Sequence, residues 1–383
     1  MGAVSWEEDI AFMHAIKQRL GEVKIIAIGD CFAENSERLL VQHPVIDAIL
    51  LNFTTDAILH YLSGDFASVN NMVIRDAQGK PLRTPDKTTK LYNLPVPLHD
   101  RFLKYDYRHP FIRKKKFATV LLDYGCPFPC SFCIMETLGF RTRSIEDVKE
   151  ELRHLHKLGI TEILFITQTF GADKKMAEDV CRFMIEEQFN FGWVCFSRVD
   201  VATPAMLAAM KQAGCHTIIF GIESGSEALL KKYRKGYTLR QILSTIDYCH
   251  SQDIETVGTF ILGLPEETRE TMQQTLDLLK IIKLDFASFN VAVPRAGTGL
   301  RQEALAEGLI KDDFMIMDQS GTEIAMRTKS LTQNEILQYR RKAVMTFYGR
   351  PGYFIDRIRK IKTPGHFIRQ AKHGMSLLKK TYL

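Results

Sequence analysis

Phe117-Ala-Thr-Val-Leu-Leu-Asp-Tyr-Gly-Cys126-Pro-Phe-Pro-Cys130-Ser-Phe-Cys133 joins a short apolar run to a loop crowded with thiols. The run, 117–122, is the first of six. The others cover 162–167, 192–198, 217–222, 256–262 and 286–293, and each is followed by a polar or glycine-containing turn. Amphipathic stretches at helical spacing lie between them, near 145–158, 173–187, 204–213, 238–252 and 267–282. Six strand–helix units in succession predict an α/β fold whose parallel sheet curls into an open (βα)6 partial TIM-like barrel, with right-handed crossovers placing the helices outside. In such a barrel the chemistry belongs at the carboxyl ends of the strands. The thiol loop stands at the first of those ends.

Cys126, Cys130 and Cys133 form a C-x3-C-x2-C triplet. Thiolates are soft ligands for zinc or for iron–sulfur clusters. A structural zinc site needs a fourth ligand and a ferredoxin cluster a fourth cysteine, yet none follows within 40 residues of Cys133. Three thiolates on a four-iron cluster leave one iron open, so the reading is a [4Fe–4S] site that receives a further ligand. Cys31, Cys181, Cys195, Cys215 and Cys249 are scattered among apolar neighbours and read as small core residues.

With its aromatic at Phe132, the triplet resembles the radical S-adenosylmethionine (radical SAM) superfamily, over roughly 117–295. The resemblance implies that Cys126, Cys130 and Cys133 hold three irons while the amine and carboxylate of S-adenosylmethionine chelate the fourth. Reductive cleavage of that cofactor then yields a 5′-deoxyadenosyl radical that takes hydrogen from a substrate. It also implies cofactor contacts at later strand ends. Phe132 packs near the adenine. Thr167 and Gln168 lie at the turn that meets the methionine amine, where many relatives carry acids and this chain has none. Arg198 forks the cofactor carboxylate or, alternatively, makes a surface salt bridge. Glu223, followed by Ser224, meets the cofactor's polar groups or forms an ion pair in the barrel mouth. Ile261 and Gly263, in a G-x-I-x-G-x-x-E-like stretch ending at Glu266, pack on the adenine and allow close backbone approach.

Arg141-Thr-Arg143-Ser144, Ser197-Arg-Val-Asp200, Ala213-Gly-Cys215 and Phe347-Tyr-Gly-Arg-Pro351 look like the radical SAM enzymes that carry an N-terminal cobalamin-binding domain. Residues 1–75 resemble the second half of that domain, partial and Rossmann-like. They hold a helix opened by a Ser5/Glu8 capping box, a strand from 24 to 28, a helix over 34–41 and a strand from 46 to 51. The D-x-H-x-x-G motif whose histidine ligates cobalt in that group is missing. Either the true start lies upstream or the domain is a remnant, and cobalamin stays an open alternative.

Residues 76–116, with five prolines and no sustained periodicity, read as a strap before the 117–300 barrel; 301–383 reads as a helical basic region. The net charge is +6, but Arg340 onward carries twelve Lys or Arg against Asp356 alone. That tail reads as a solvated helical face, or as a contact for an anionic membrane surface or an acidic partner. No nucleic acid partner is expected.

The 383 residues, 45% hydrophobic and 25% charged, exclude disordered and fibrous classes. No apolar run reaches the roughly 18 residues a membrane span requires. The start, MGAVSWEEDI, is too acidic for a signal peptide. The chain is therefore expected to be a cytoplasmic radical SAM enzyme, served by a flavodoxin- or ferredoxin-type electron donor and acting on a small-molecule or lipid-like substrate. The alternatives are a cobalamin-dependent radical methyltransferase and a non-catalytic iron–sulfur or zinc docking protein.

Overall fold

The computed structural model describes residues 5–32, 34–311 and 324–359. The last twenty-four residues of the basic tail, and the calls made on them, lie outside that set.

An N-terminal sheet comes first. β1 (Ile26–Ala27) and β2 (Ala48–Leu50) run parallel, as the alternation of strand and helix predicts. β3 (Met72–Arg75) and β4 (Pro81–Arg83) then add an antiparallel hairpin, in the order β1-β2-β3-β4. The sheet thus runs on past the composition shift at 75, because Asp76-Ala-Gln-Gly79 forms a tight turn in which Asp76 Oδ1 accepts from the Gln78 and Lys80 amides. The leading helix, Trp6–Leu20, is not closed by a capping box. Ser5 makes no cap bond; its hydroxyl donates to Asp9 instead, at 2.8 Å. Trp6, Ile10 and Met13 from this helix pack on the sheet's outer core.

Between the two sheets the strap supplies β5 (Leu91–Tyr92) and the short helix His99–Phe102. β5 joins β7 (Asp123–Tyr124) and β8 (Arg141–Arg143) in a small sheet flanking the thiol loop.

The main sheet is parallel throughout. Its strands are β6 (Ala118–Val120), β9 (Glu162–Phe165), β10 (Gly192–Ser197), β11 (Cys215–Glu223), β12 (Glu255–Leu262) and β13 (Phe286–Val291), adjacent in chain order. β6 and β13 do not pair, so the barrel is open, as the six-unit reading predicts. The helices Ile145–Lys157, Lys174–Glu186, Pro204–Gln212, Leu239–Ser251 and Arg269–Ile281 fall within two residues of their expected positions. Side-chain caps fix several starts: Asp173 accepts from Met176 N, Thr203 from Met206 N, and Thr238 and Thr268 form capping boxes. A continuous core lies between sheet and helices.

The inner face carries a separate apolar floor. Leu164, Val194, Ile219 and Val257 project inward from successive strands, and Ile112 of the strap plugs them from below with Phe111, Phe117 and Phe286 around it. The strap therefore does more than connect. The floor's rim is polar and closed. Glu162 accepts from Arg113 N at 2.6 Å and meets His216 at 3.1 Å. Arg113 and Arg357 both reach Glu255, at 2.9 and 3.4 Å, and Arg357 also reaches Asp285 at 2.8 Å. These bonds fasten the C-terminal helices, Gln333–Tyr348 and Pro351–Arg359, beneath the barrel. Among the described residues no helix is long and apolar enough to cross a membrane.

Candidate active site

With the floor plugged by Ile112 and its neighbours, the carboxyl ends of the strands form the mouth of the lumen. Strand alternation fixes what enters it. Inward-facing Val194 is followed by Phe196, 37% exposed, and then Arg198; inward-facing Leu164 is followed by exposed Ile166 and Gln168.

The thiol loop begins at Gly125, whose φ of 77° favours glycine. A Cβ there would lie 1.6 Å from the Gly139 carbonyl oxygen, so no other residue fits. Cys126 N donates to Met135 O at 3.1 Å and Cys133 N to Cys130 O at 2.9 Å, which folds the three cysteines back on themselves. Cys130 Sγ lies 4.0 Å from the Arg234 carbonyl and Cys126 Sγ 3.9 Å from Thr169 Oγ1. Burial pushes the Cys133 thiol up to about 11. Burial also raises Cys130, against the pull of Lys235 and Arg198. Cys126, Cys130 and Cys133 would hold a metal as thiolates, its charge taking the place of their protons.

Two buried cations face this loop. Arg198 spends its guanidinium there: Nε and Nη2 fork the Asp200 carboxylate at 3.0 and 2.8 Å, Nη2 also donates to Lys235 O at 2.5 Å, and Nη1 points at Cys130 Sγ at 3.3 Å. Its plane lies 3.9 Å from the Phe128 ring centre. Burial works against its charge, but Asp200 holds the pKa above the usual value. The salt bridge expected as one alternative for Arg198 is present, to Asp200, but on a buried guanidinium and not at the surface, with Nη1 aimed at sulfur. Lys235 pairs with Glu223 at 3.0 Å, both nearly inaccessible. Burial opposes the ammonium, but Glu223, joined by Tyr237 and Cys130, holds its pKa above the usual value. Glu223 reaches inward because β11 bulges at Gly221/Glu223 and its φ turns to 68°.

Phe132 and Ile261 meet in one apolar cluster with Tyr233, Leu264 and Leu300, so two expected adenine contacts are brought together. Gly263 has φ 88° and donates to Glu267 Oε2 at 2.5 Å, as Leu264 N does at 3.3 Å. The acid that ties this turn is thus Glu267, one residue beyond the expected Glu266. Glu266 lies outside and pairs with Lys329 at 2.8 Å. Glu267 is fully buried, and burial lifts its pKa to about 8.

Thr167 and Ser224 are not brought to the lumen. Ser224 turns to the helix Arg269–Ile281, 3.3 Å from Thr275 Oγ1. Thr167 turns to Asp123, donating to its Oδ1 at 2.5 Å, while Gln168 supplies a backbone bond to the same carboxylate. Burial raises Asp123 to about 7, only partly countered by Thr167. An acid therefore does stand at the second strand end, contributed by the neighbouring β7.

Lys235, Asp123, Phe128 and Glu267 were not singled out from sequence. Lys235 sits in a charge run that looks solvated. Asp123 stands two residues before the Gly125-Cys126 step, a signal legible in the sequence.

The N-terminal unit leans on the same mouth. Glu34 Oε1 accepts from Gly297 N at 2.5 Å and Oε2 lies 3.4 Å from Arg301, while Phe53 packs edge-on to Tyr124 at 4.6 Å.

The donor set fits an iron–sulfur cluster. It offers three soft thiols on one loop and two buried cations to balance the charge of a thiolate-bound cluster. Among the described residues no three His, Cys, Asp or Glu side chains converge on one point, so a single-ion zinc site is not preformed.

An open six-stranded barrel with three thiols at its first strand end defines a class of cluster-binding half-barrels. The model of the radical SAM superfamily matches residues 121–279 of this chain. An uncharacterized methyltransferase of Pyrococcus horikoshii is 34% identical over 287 residues, 74% of this chain and 61% of that one. The radical S-adenosylmethionine methyltransferase TsrM of Kitasatospora setae, solved with cobalamin and a [4Fe–4S] cluster, shares the fold at TM-score 0.64 and 17% identity, over 79% of this chain and 61% of that one. The cobalamin-dependent S-adenosylmethionine radical enzyme OxsB, in its apo form, aligns at TM-score 0.69 and 16% identity, over 99% and 62%. The chain thus spans about three-fifths of the length of these three proteins.

Proposed function

We propose that this chain is a radical SAM enzyme in which Cys126, Cys130 and Cys133 hold a [4Fe–4S] cluster and the lumen above them receives S-adenosylmethionine. The observation that carries the reading is that one loop at the first strand end bears all three thiols and that buried Arg198 and Lys235 face it. When bound, the cluster and S-adenosylmethionine supply an electron and a sulfonium whose reductive cleavage gives a carbon radical able to take hydrogen from a substrate. The protein's own residues do the rest. Phe132 and Ile261 offer an apolar face to an aromatic base. Gly263 lets backbone come close, and Glu267 locks that turn. The plugged floor excludes water from below, which protects a radical from quenching.

A second reading, cobalamin-dependent methyl transfer to an unactivated carbon, is favoured by the 34% identical methyltransferase and by the N-terminal unit leaning on the barrel mouth. Asn52 Nδ2, buried two residues past β2 with no partner among the described residues, is a donor that a further polar ligand could satisfy. We place the enzyme in the cytoplasm, reduced by a flavodoxin- or ferredoxin-type donor and acting on a small-molecule or lipid-like substrate.

Anaerobic reconstitution with iron and sulfide tests this. The expected result is about four irons per chain, an EPR signal altered by S-adenosylmethionine, and release of 5′-deoxyadenosine on reduction. Release of S-adenosylhomocysteine in a cobalamin-loaded sample selects the methyl-transfer reading. A Cys130→Ala chain that keeps its iron and its turnover sinks both, and a chain that binds zinc without S-adenosylmethionine selects the docking alternative.

A further inference from the structure

The thiol loop is also a surface. Pro127 and Pro129 are exposed, with Phe128 half-buried between them. Next to this apolar patch stands the turn that ends the short helix Glu227–Lys232. Two contacts tie the turn to the loop: Ser131 N donates to Tyr233 O at 3.4 Å, and the Arg234 carbonyl lies 4.0 Å from Cys130 Sγ. Arg234 has a positive φ, 58°, and Arg234 N donates to Lys231 O at 3.1 Å, so Lys231 and Arg234 belong to one tight reversal.

The charges of this segment divide into two sets. Lys235 is buried against Glu223, and Lys232 leans outward to Glu303 at 3.2 Å. Glu227, the acid on the same helix, is used by the Leu239 amide at 3.0 Å. Lys231 and Arg234 are exposed and make no ion pair with any described residue. An uncompensated cationic rim therefore borders an exposed proline–phenylalanine patch directly over one cysteine of the triplet. A small apolar centre with a charged rim is the anatomy of a transient encounter surface, and electron-transfer pairs occupy the small end of the interface range.

We propose that Pro127, Phe128, Pro129, Lys231 and Arg234 form the docking surface for an acidic one-electron carrier protein. The inference rests on the cluster reading above and deepens it by assigning the partner's seat. The carrier gives up one electron and is oxidised by one equivalent. That electron is taken up at the irons held by Cys130 and its two neighbours, and no bond forms or breaks. The entry route is short, because Phe128 stacks on Arg198 and Arg198 Nη1 is 3.3 Å from Cys130 Sγ. Nucleic acid fits this place less well. The rim is two charges wide and belongs to the loop that backs the thiols, whereas a nucleic-acid substrate would need a positive stripe leading into the lumen.

The test uses the reconstituted full chain and its Lys231→Glu/Arg234→Glu double variant, mixed anaerobically with a photoreduced flavodoxin or with dithionite while the cluster's visible absorption is followed. Wild-type reduction by flavodoxin is expected to slow with added salt. Charge reversal is expected to slow it about tenfold or more at low salt and to remove most of the salt dependence, in line with electrostatic steering, while the dithionite rate stays the same. Equal flavodoxin rates in variant and wild type overturn the proposal. So does an equal loss with both reductants, since the two residues would then act on the cluster and not on docking. The neutral pair Lys231→Gln/Arg234→Gln, expected to lie between the two, guards against a local folding effect of the reversal. If the wild type takes up no cluster, it is the enzyme reading that fails, before any docking rate is measured.

Discussion

Arg198 illustrates how one residue's chemistry is set by neighbours that the sequence places far away. Sequence alternation correctly groups Val194, Phe196 and Arg198 on one face. What that face meets depends on Cys130 and Phe128 of the thiol loop and on Lys235 of the turn after the helix Glu227–Lys232. Hydrogen bonds and positive charge near cluster sulfurs raise reduction potentials. Arg198→Gln removes the charge and the fork to Asp200, so the reconstituted cluster should show a lower midpoint potential in an EPR-monitored titration. Arg198→Lys should recover only part of the difference, because lysine lacks the fixed fork. An unchanged potential in Arg198→Gln would assign Arg198 to packing alone.

Asp123 gives a second prediction at this scale. Its folded pKa, about 7, lies above the ordinary value of 3.8. Between those two values the folded state binds more protons than the unfolded state. The contribution of this group to stability is therefore greatest at low pH and is lost as pH rises from about 4 to about 7, by at most about 4 kcal/mol. Asp123→Asn keeps an acceptor for Thr167 and cannot ionise. Its melting temperature, relative to wild type, should rise between pH 5 and pH 7.5. A parallel pH dependence for both proteins would disprove the assignment.

At the scale of elements, the thiol loop depends on its backbone more than on its side chains. Gly125→Ala places a Cβ against the Gly139 carbonyl in a conformation L-residues disfavour. The barrel helices have their own caps and core, so far-UV circular dichroism should stay near wild type while iron uptake collapses. The helix limits were legible because the caps Asp173, Thr203, Thr238 and Thr268 are local signals. The same logic fails at Ser5, where the hydroxyl bonds to Asp9 and leaves the helix end uncapped. Thr238→Ala should cost about 1 kcal/mol, read by denaturant unfolding.

Across the whole molecule, the barrel floor is where distant segments are locked together. Arg113 of the strap and Arg357 of the C-terminal helix share Glu255, and Arg357 also holds Asp285. Arg357→Met takes the guanidinium from buried Asp285, which is left with the Thr256 amide and His250, while Glu255 keeps Arg113; the loss of the buried pair should cost about 3 kcal/mol. It should also make the C-terminal helix Pro351–Arg359 the first site of limited proteolysis. Wild-type protease resistance in this variant would show that apolar contacts alone, such as Phe347 against Tyr353, hold the C-terminal helices.

The sequence by itself determined the barrel, its open form, its helices and the thiol triplet. These follow from local periodicity, caps and ligand spacing, which act between residues close in the chain. The tertiary structure alone decided which polar groups serve the site. Glu267 replaces Glu266 at the fifth strand end because only its side chain reaches the Gly263 and Leu264 amides. Asp123 supplies the acid that the second strand lacks because β7 passes beside it. Lys235 leaves an apparently solvated charge run because Glu223 compensates it out of water. Burial and long-range pairing set those roles, and neither is written in the spacing of residues along a chain.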